Sequence, residues 1–399
     1  MPAERAVRRS PARCRSQPCA IWLRQELPVH RKRMRGRSVM AQPGYLWAMD
    51  KTMRIGFDVS PLTHNHPPGV RRATAELVAA LERRGQLEVC RLTPQPGANL
   101  RRWRQIELPR SVAHLGLAGI HSPVSAFPLA GPGLRVQTVH ELPWKHGVSE
   151  NADLGHRCWA SLAGRLAAAV CVPTELVARD LGRPLAKNGG RLHVCPWAAA
   201  DPFTAHAPQG TFDEAQLARH HLPDTPFVLA PGAVRAKKNL AATLAGMAEL
   251  KRRGEDRLQL VVTGEETASL RRDLGLASRL GVAGEVSTLG HVTDLELAAL
   301  MRLAAAVVVL STSEGFALPA LEAAACGSPV VASLGGAAAE VLGPLAITVE
   351  PASGAAVADG LKRALADSSK LRPGLVKRAA LFSWDKTAAT VEDIWQSLI

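Results

Sequence analysis

Residues 313–333 read SEGFALPALEAAACGSPVVAS, and their punctuation decides the fold. Just upstream, AAVVVL is a short apolar, β-branched run of the kind that fills a buried strand. STSEGF follows as the loop at the strand's carboxyl end. Pro319 suits the first turn of a helix, which runs on through LEAAAC. Gly327 caps that helix and Ser328-Pro329 stops it, so SPVVAS opens the next strand. Strand, loop, helix and strand in this order make one βαβ unit of a parallel sheet.

The same alternation runs outward in both directions. From Met53, RIGFDV, LEVCRL, AGIHS, LRVQTVH, AAAVCVP and LHVCP read as strands. Between them lie helical stretches, among them ATAELVAALERRG closed by Gly85, and others around residues 154–166 and 174–181. A Pro-, His- and Asp-rich stretch interrupts the pattern, and then it restarts. PFVLAPG, LQLVVTG, VSTLGHV, AAVVVLS, SPVVAS and AITVEP are strands. NLAATLAGMAELKRRG and TDLELAALMRLA are helices, the second opened by a Thr293/Glu296 capping box. FSWDKTAATVEDIWQSLI forms a last helix. The expected architecture is α/β: two doubly wound parallel-sheet domains in series, over 53–210 and 226–382. Residues 211–225 link them and 383–399 form the closing helix.

Length and composition agree. A chain of 399 residues can bury two cores, and 47% hydrophobic with 21% charged residues suits a globular protein. No apolar run reaches the roughly 18 residues of a membrane-spanning helix. The net charge of +14 suggests nucleic acid until its location is examined. Residues 1–52 carry twelve Lys and Arg against three acids. The basic excess is therefore mostly terminal, and no nucleic-acid partner is expected of the folded part. Residues 1–52 lack strand or helix periodicity and the apolar core of a secretory signal. They read as a disordered basic extension or an upstream mis-start before Met53. Seven Cys form no CxxC pair and no Cys/His cluster with zinc spacing, so neither a metal nor a disulfide is expected.

In open parallel sheets, ligands bind beyond the carboxyl ends of the strands. Two such ends carry chemistry here. In VLAPGAVRAKKN, Gly232 ends a strand, and Lys237 and Lys238 sit at the start of the next helix. Cations are disfavoured there by the helix dipole unless an anion joins them. In the opening stretch, Glu314 lies in the loop and Glu322 about one turn into the helix. With the loop folded back, both carboxylates can face one pocket. The amides of Gly315, Phe316, Ala317 and Leu318 lie between them, where a diphosphate would fit. Carboxylates accept from hydroxyls, so one can hold a pyranose and the other a ribose.

These stretches resemble, in order, the retaining family-four glycosyltransferases of GT-B fold. SEGFALPALEAAACGSPVVAS is similar to that family's E-x7-E signature. MRIGFDVSPL…GVRRATAELVAAL is similar to its first strand, Gly loop and helix; QTVHELPW to its "VHD" strand end; GAVRAKKN to its phosphate loop. The final SW…T…IW helix is similar to the one that crosses back to the first domain. The resemblance implies a metal-independent hexosyltransferase acting on a nucleotide-diphosphate sugar, UDP- or GDP-linked, with a growing glycan or lipid-linked oligosaccharide as acceptor. It implies that Glu322 binds the ribose and Glu314 the donor sugar, with catalytic roles for Glu314, Lys238 and His140. Lys237 and Lys238 would neutralise the diphosphate. Gly290, His291 and Val292 would lie near the base. Gly69 and Arg71 would close over the diphosphate, while His140 and Glu141 face the sugar and acceptor. The chain departs from the family at Ala233 (usually Arg), Glu141 (usually Asp), Ala317 (usually Gly) and Ala339 (usually Pro). Ala317 can serve if its φ is negative. These departures leave open a donor-binding or regulatory subunit without turnover. The basic patch RRWRQIELPR reads first as a solvated face with Trp103 half-buried, and otherwise as a peripheral contact for an anionic membrane or a lipid-diphosphate acceptor; the expected location is cytoplasmic, with peripheral contact at the inner face of the membrane as the alternative.

Overall fold

Val- and Ile-rich runs this short bury both faces only inside a parallel sheet covered by helices, and that is how they are used. The computed structural model describes residues 52–399 apart from 151, 183–190, 210–212, 221, 223, 256 and 257. The basic stretch before Thr52, with Cys14 and Cys19, and part of the expected link at 211–225 lie outside the described residues.

The first sheet contains β1 (Met53–Asp58), β2 (Leu87–Leu92), β3 (Gly119–Ser122), β4 (Leu134–Thr138), β5 (Ala169–Val172) and β6 (Leu192–Val194), in the order β2-β1-β3-β4-β5-β6. The second contains β7 (Phe227–Ala230), β8 (Gln259–Thr263), β9 (Val286–Gly290), β10 (Ala306–Val309), β11 (Val330–Ser333) and β12 (Ile347–Val349), in the order β12-β11-β10-β7-β8-β9. Every pairing is parallel.

Strand order reverses between β1 and β3 in the first sheet and between β7 and β10 in the second. Such a reversal opens a crevice at the strands' carboxyl ends, because the connections on either side leave in opposite directions. The loop carrying Gly232 follows β7, and the loop carrying Glu314 follows β10. Both suspected segments therefore flank the second crevice.

Helix Pro68–Arg84 stops at Gly85, whose φ of 65° suits a residue without Cβ. The capping box is present, with the Thr293 hydroxyl and the Glu296 carboxylate each bonded to the other's backbone. The last helix, Trp384–Ser397, places Trp384, Ala388, Val391, Ile394 and Trp395 in one core with Ile55, Phe57, Leu77 and Leu81. It thus returns to the first half, and ion pairs from Arg84 to Glu392 and from Arg83 to Asp385 flank the seam. Glu296 also receives Arg219 and His220, and Arg302 grips Asp213, so this part of the connecting segment is moored to the second half.

Candidate active site

The loop after β10 turns sharply into helix Leu318–Ala325, and the turn is made at Ala317. Its φ is 59° and ψ 52°, so the negative φ on which Ala317's suitability was conditioned is not met. An L-residue in this region pushes its Cβ toward the carbonyl, a cost of about 1–2 kcal/mol. The backbone accepts it because Phe316 and Leu318 are buried on either side and fix the turn. Ala317→Gly should therefore stabilise the protein by about 0.5–1 kcal/mol, part of the relief being offset by the freer unfolded chain. Urea unfolding checks this; an unchanged or lower midpoint would contradict it.

The amides of Gly315, Phe316, Ala317 and Leu318 donate to no other group among the described residues. They stand at the positive end of the helix, a natural seat for an anion.

Lys238 comes from a single 3-10 turn, Ala236–Lys238, which Asn239 closes in a left-handed conformation before helix Leu240–Arg252 begins. Its Nζ lies 2.8 Å from a Glu314 oxygen. Ser311 donates to the same carboxylate at 3.0 Å, and Ser333 donates to the Ser311 carbonyl at 3.1 Å. Burial opposes ionisation of Glu314, but Lys238, Lys237 and the Ser311 hydroxyl prevail and hold its pKa at about 2. Glu322 shows the opposite outcome. It is 2% exposed, and burial raises its pKa to about 7 although Arg72 and Lys238 pull it down; Asp294 adds to the rise. Lys238 thus acts on both acids, and the two carboxylates share one surrounding.

Side chains from the first half reach into the same place. Gln137 and Thr138 end β4, and beyond them Glu141 accepts two hydrogen bonds from Lys237 Nζ, at 2.7 and 3.0 Å. Lys237 is 5% exposed and committed to that acid, so the expected pair of lysines is split: Lys238 faces the acids and Lys237 braces the two halves. Arg235 meets Glu150 at 3.4 Å. Arg71, expected to close over the site, points to solvent, because one step along helix Pro68–Arg84 turns a side chain by about 100°. Its neighbour Arg72 crosses instead, bonding both Glu322 and Asp294 and lying 5.2 Å from the Phe203 ring centre. Thr174 donates to the Gly315 carbonyl at 2.8 Å. Glu340 accepts from the amides of Glu175 and Leu176, at 2.7 and 2.8 Å, capping helix Glu175–Leu181 from the other half. Arg72, Asp294, Thr174 and Glu340 were not singled out in the sequence.

His140 lies at the first half's edge of the cleft. Its Nε2 is 2.6 Å from the Pro123 carbonyl, which can only accept, so Nε2 carries the proton. Burial lowers its pKa to about 4, against the Pro123 bond and Glu141, and the ring is neutral with an acceptor lone pair on Nδ1. That Nδ1 is buried and has no partner among the described residues. Gly69 sits at the start of its helix with the Trp197 ring 4.0 Å from where a Cβ would be. The Gly232 amide donates to Thr263 at 3.0 Å, so Gly232 contributes room and its φ of 83° rather than a free donor. Gly232 and Lys238 help line a small recess with Pro231, Ser311 and Pro319. Gly290 ends β9 with a φ of 69°, His291 is exposed and Val292 is half-buried. Phe316 packs edge-on to Phe382 and tilted on Trp197, so only its backbone is available to a ligand.

The expected membrane patch is smaller than the sequence suggests. Arg104 is buried against Asp58 and Trp103 is 5% exposed, leaving Arg101, Arg102 and Arg110 at the surface. Among the described residues no group of three His, Cys, Asp or Glu side chains is arranged to hold a metal, and no helix is long and apolar enough to cross a membrane.

Residues 213–381 match the family model described as "Glycosyl transferases group 1". This segment is a glycosyl transferases group 1 domain. The domain contains the whole second sheet, Lys238, Glu314 and Glu322. Curated relatives agree: the D-inositol 3-phosphate glycosyltransferase 1 of Catenulispora acidiphila is 31% identical over 288 residues, 66% of each chain. The MMP α-(1→4)-mannosyltransferase of Mycolicibacterium hassiacum is 34% identical over 169 residues, 41% of this chain and 40% of that one. The chain spans about half the length of the curated relatives it matches. Among solved structures, sucrose-phosphate synthase from Thermosynechococcus elongatus aligns with a TM-score of 0.69 at 23% identity, covering 87% of this chain and 99% of that one. The Anabaena protein HepE, solved with UDP and glucose, aligns at 0.63 and 16% identity, covering 86% and 100%. At these identities the likeness establishes the GT-B fold.

Proposed function

We propose that the protein is a retaining hexosyltransferase that moves a sugar from a nucleotide-diphosphate donor to an acceptor hydroxyl on a growing glycan or lipid-linked oligosaccharide. One observation carries this reading: Lys238 pairs with Glu314 and its charge acts on Glu322, beside four amides at a helix N-terminus that donate to no other described group. A pyrophosphate needs that concentration of positive charge, and a ribose and a pyranose on either side of it need acceptors for their hydroxyls. HepE, with the same fold, was solved with UDP-glucose, which supports a donor of this class.

In this reading Glu322 accepts from the ribose and Glu314 from the donor sugar. Lys238 and the amides of residues 315–318 stabilise negative charge growing on the leaving diphosphate, so turnover proceeds without a metal. Neutral His140 offers Nδ1 to a sugar hydroxyl, with its tautomer fixed by the Pro123 carbonyl. The glycosidic C–O bond to phosphate breaks as the acceptor oxygen bonds the same face of the anomeric carbon. The departing phosphate oxygen takes the acceptor's proton, and no protein nucleophile is required. Closure of the two halves excludes water from the donor.

A thermal-shift screen with UDP-, GDP- and ADP-linked hexoses is the first test, since a ligand bound only by the folded state raises its stability. With the best donor, Lys238→Ala should lower kcat/KM by about 10²–10³-fold, as expected when a donor to developing charge is removed. Glu314→Ala should depress kcat more than it raises KM, and Glu322→Ala should chiefly raise KM. Turnover in EDTA and an axial-to-axial product anomer by NMR would complete the reading. Wild-type kinetics in all three variants would overturn it. Donor binding without release of nucleoside diphosphate would leave a binding subunit instead.

A further inference from the structure

Glu322 is the most buried acid of the cleft, and its only cationic hydrogen-bond partner among the described residues comes from the other half of the molecule. Four charged or ionisable groups face it. Arg72 approaches from helix Pro68–Arg84 and bonds it directly. Asp294, at the start of helix Asp294–Leu303, shares that guanidinium. Lys238 approaches from the turn after β7, and Cys326 lies one turn along Glu322's own helix. Arg302, on the same helix as Asp294, is taken by Asp213.

We propose that Arg72 is a positioning residue for the donor site: its guanidinium, supplied by the first half, holds the Glu322 carboxylate in one orientation for the donor's ribose hydroxyls. The inference rests on the reading of Glu322 given above. A planar guanidinium can hold one oxygen of a carboxylate and leave the other free to accept, which a flexible ammonium does less well. The ring of Phe203 supports the guanidinium from below, 5.2 Å away. Arg72 thus bonds Glu322 only where the halves meet, adding to the pull of Lys238 from the second half, and ribose binding is coupled to closure of the cleft. Nothing local to helix Leu318–Ala325 could do this, since the helix carries no cation of its own.

The sign follows from the balance of charges. Burial sets the Glu322 pKa at about 7, with Arg72 pulling it down and Asp294 pushing it up. Donor affinity should therefore rise with pH through about 7 in the wild type, as the carboxyl loses its proton. Removing Arg72 moves the midpoint up; removing the Asp294 charge moves it down.

The experiment is calorimetric titration of the donor that most stabilises the wild type, from pH 5.5 to 9, on the full chain. Arg72→Gln should bind about tenfold more weakly near pH 7 and recover toward wild type above pH 8.5, a midpoint shift of about one unit. Arg72→Lys should retain most of the affinity and shift less. Asp294→Asn should shift the midpoint down, and Glu322→Gln should show no midpoint in this window. Opposite shifts in Arg72→Gln and Asp294→Asn would support the proposal, because simple loss of packing moves affinity equally at every pH. A uniform loss, or a wild-type profile in Arg72→Gln, would overturn it while leaving the donor reading intact. If the wild type bound none of the nucleotide sugars, the donor reading itself would fail and this inference with it.

Discussion

Gly315→Ala should reduce turnover by about 100-fold, the loss expected when reacting groups are displaced by roughly an ångström. Gly315 lies where the Glu314 loop meets the first half. A Cβ built there would sit 1.7 Å from the His140 carbonyl oxygen and 2.8 Å from its carbon, whereas real Cβ atoms stay beyond 3.0 Å. Both obstacles are backbone, so no rotamer relieves them. The halves must draw apart, breaking the Thr174 bond to the Gly315 carbonyl and stretching the Arg72 bridge to Glu322. Each half retains its own core, so the variant should keep near-native circular dichroism while losing donor-dependent thermal stabilisation. Wild-type turnover in Gly315→Ala would show that this close approach is not needed for catalysis.

Asp58→Ala carries the largest expected stability cost. Asp58 ends β1, fully buried, and accepts from Arg104 Nε at 2.9 Å and from the Ser60 amide at 2.9 Å. Arg104 adds a bond to the Ser60 hydroxyl at 2.7 Å. The trio fixes the chain as it leaves β1 toward Gly69 and Arg72. Removing the carboxylate leaves a buried guanidinium without its counter-charge, a loss of about 3–5 kcal/mol. Against the roughly 5–15 kcal/mol that typically separates folded from unfolded chains, this is a large share. Urea unfolding followed by tryptophan fluorescence measures it. Replacing both partners, as Asp58→Leu with Arg104→Met, should restore much of the loss, because no charge is then left buried. A single-variant cost below about 1 kcal/mol, the level of an exposed pair, would contradict the assignment.

Local order was readable wherever neighbours in the chain are neighbours in space. Strand, loop and helix around Glu314 and Glu322 depend on β-branched runs, Pro319 and Gly327, which act on their own backbone. The Thr293/Glu296 capping box spans three residues, and Gly85 closes the helix it follows. The nearness of Glu314 and Lys238 was also legible, since both lie in loops flanking one crossover reversal, and Glu322 follows one turn into the helix that the first of these loops opens. The conformation of Ala317 was not legible: its left-handed turn is held by the buried Phe316 and Leu318, and residue type alone argues against it.

Arg71 and Arg72 are equivalent in composition and adjacent in sequence; only the rotation of their helix against the second half selects Arg72. Its partner Glu322 lies 250 residues away, and Glu340 reaches a helix start 165 residues earlier. No periodicity encodes such pairs. By itself, then, the sequence determined two parallel-sheet halves and placed Glu314 and Lys238 in loops at the strand ends of the second, because hydrogen-bonding and burial patterns repeat within each segment. Which charges meet across the cleft was decided by tertiary structure alone, because ion pairing depends on where rigid elements bring side chains together in space.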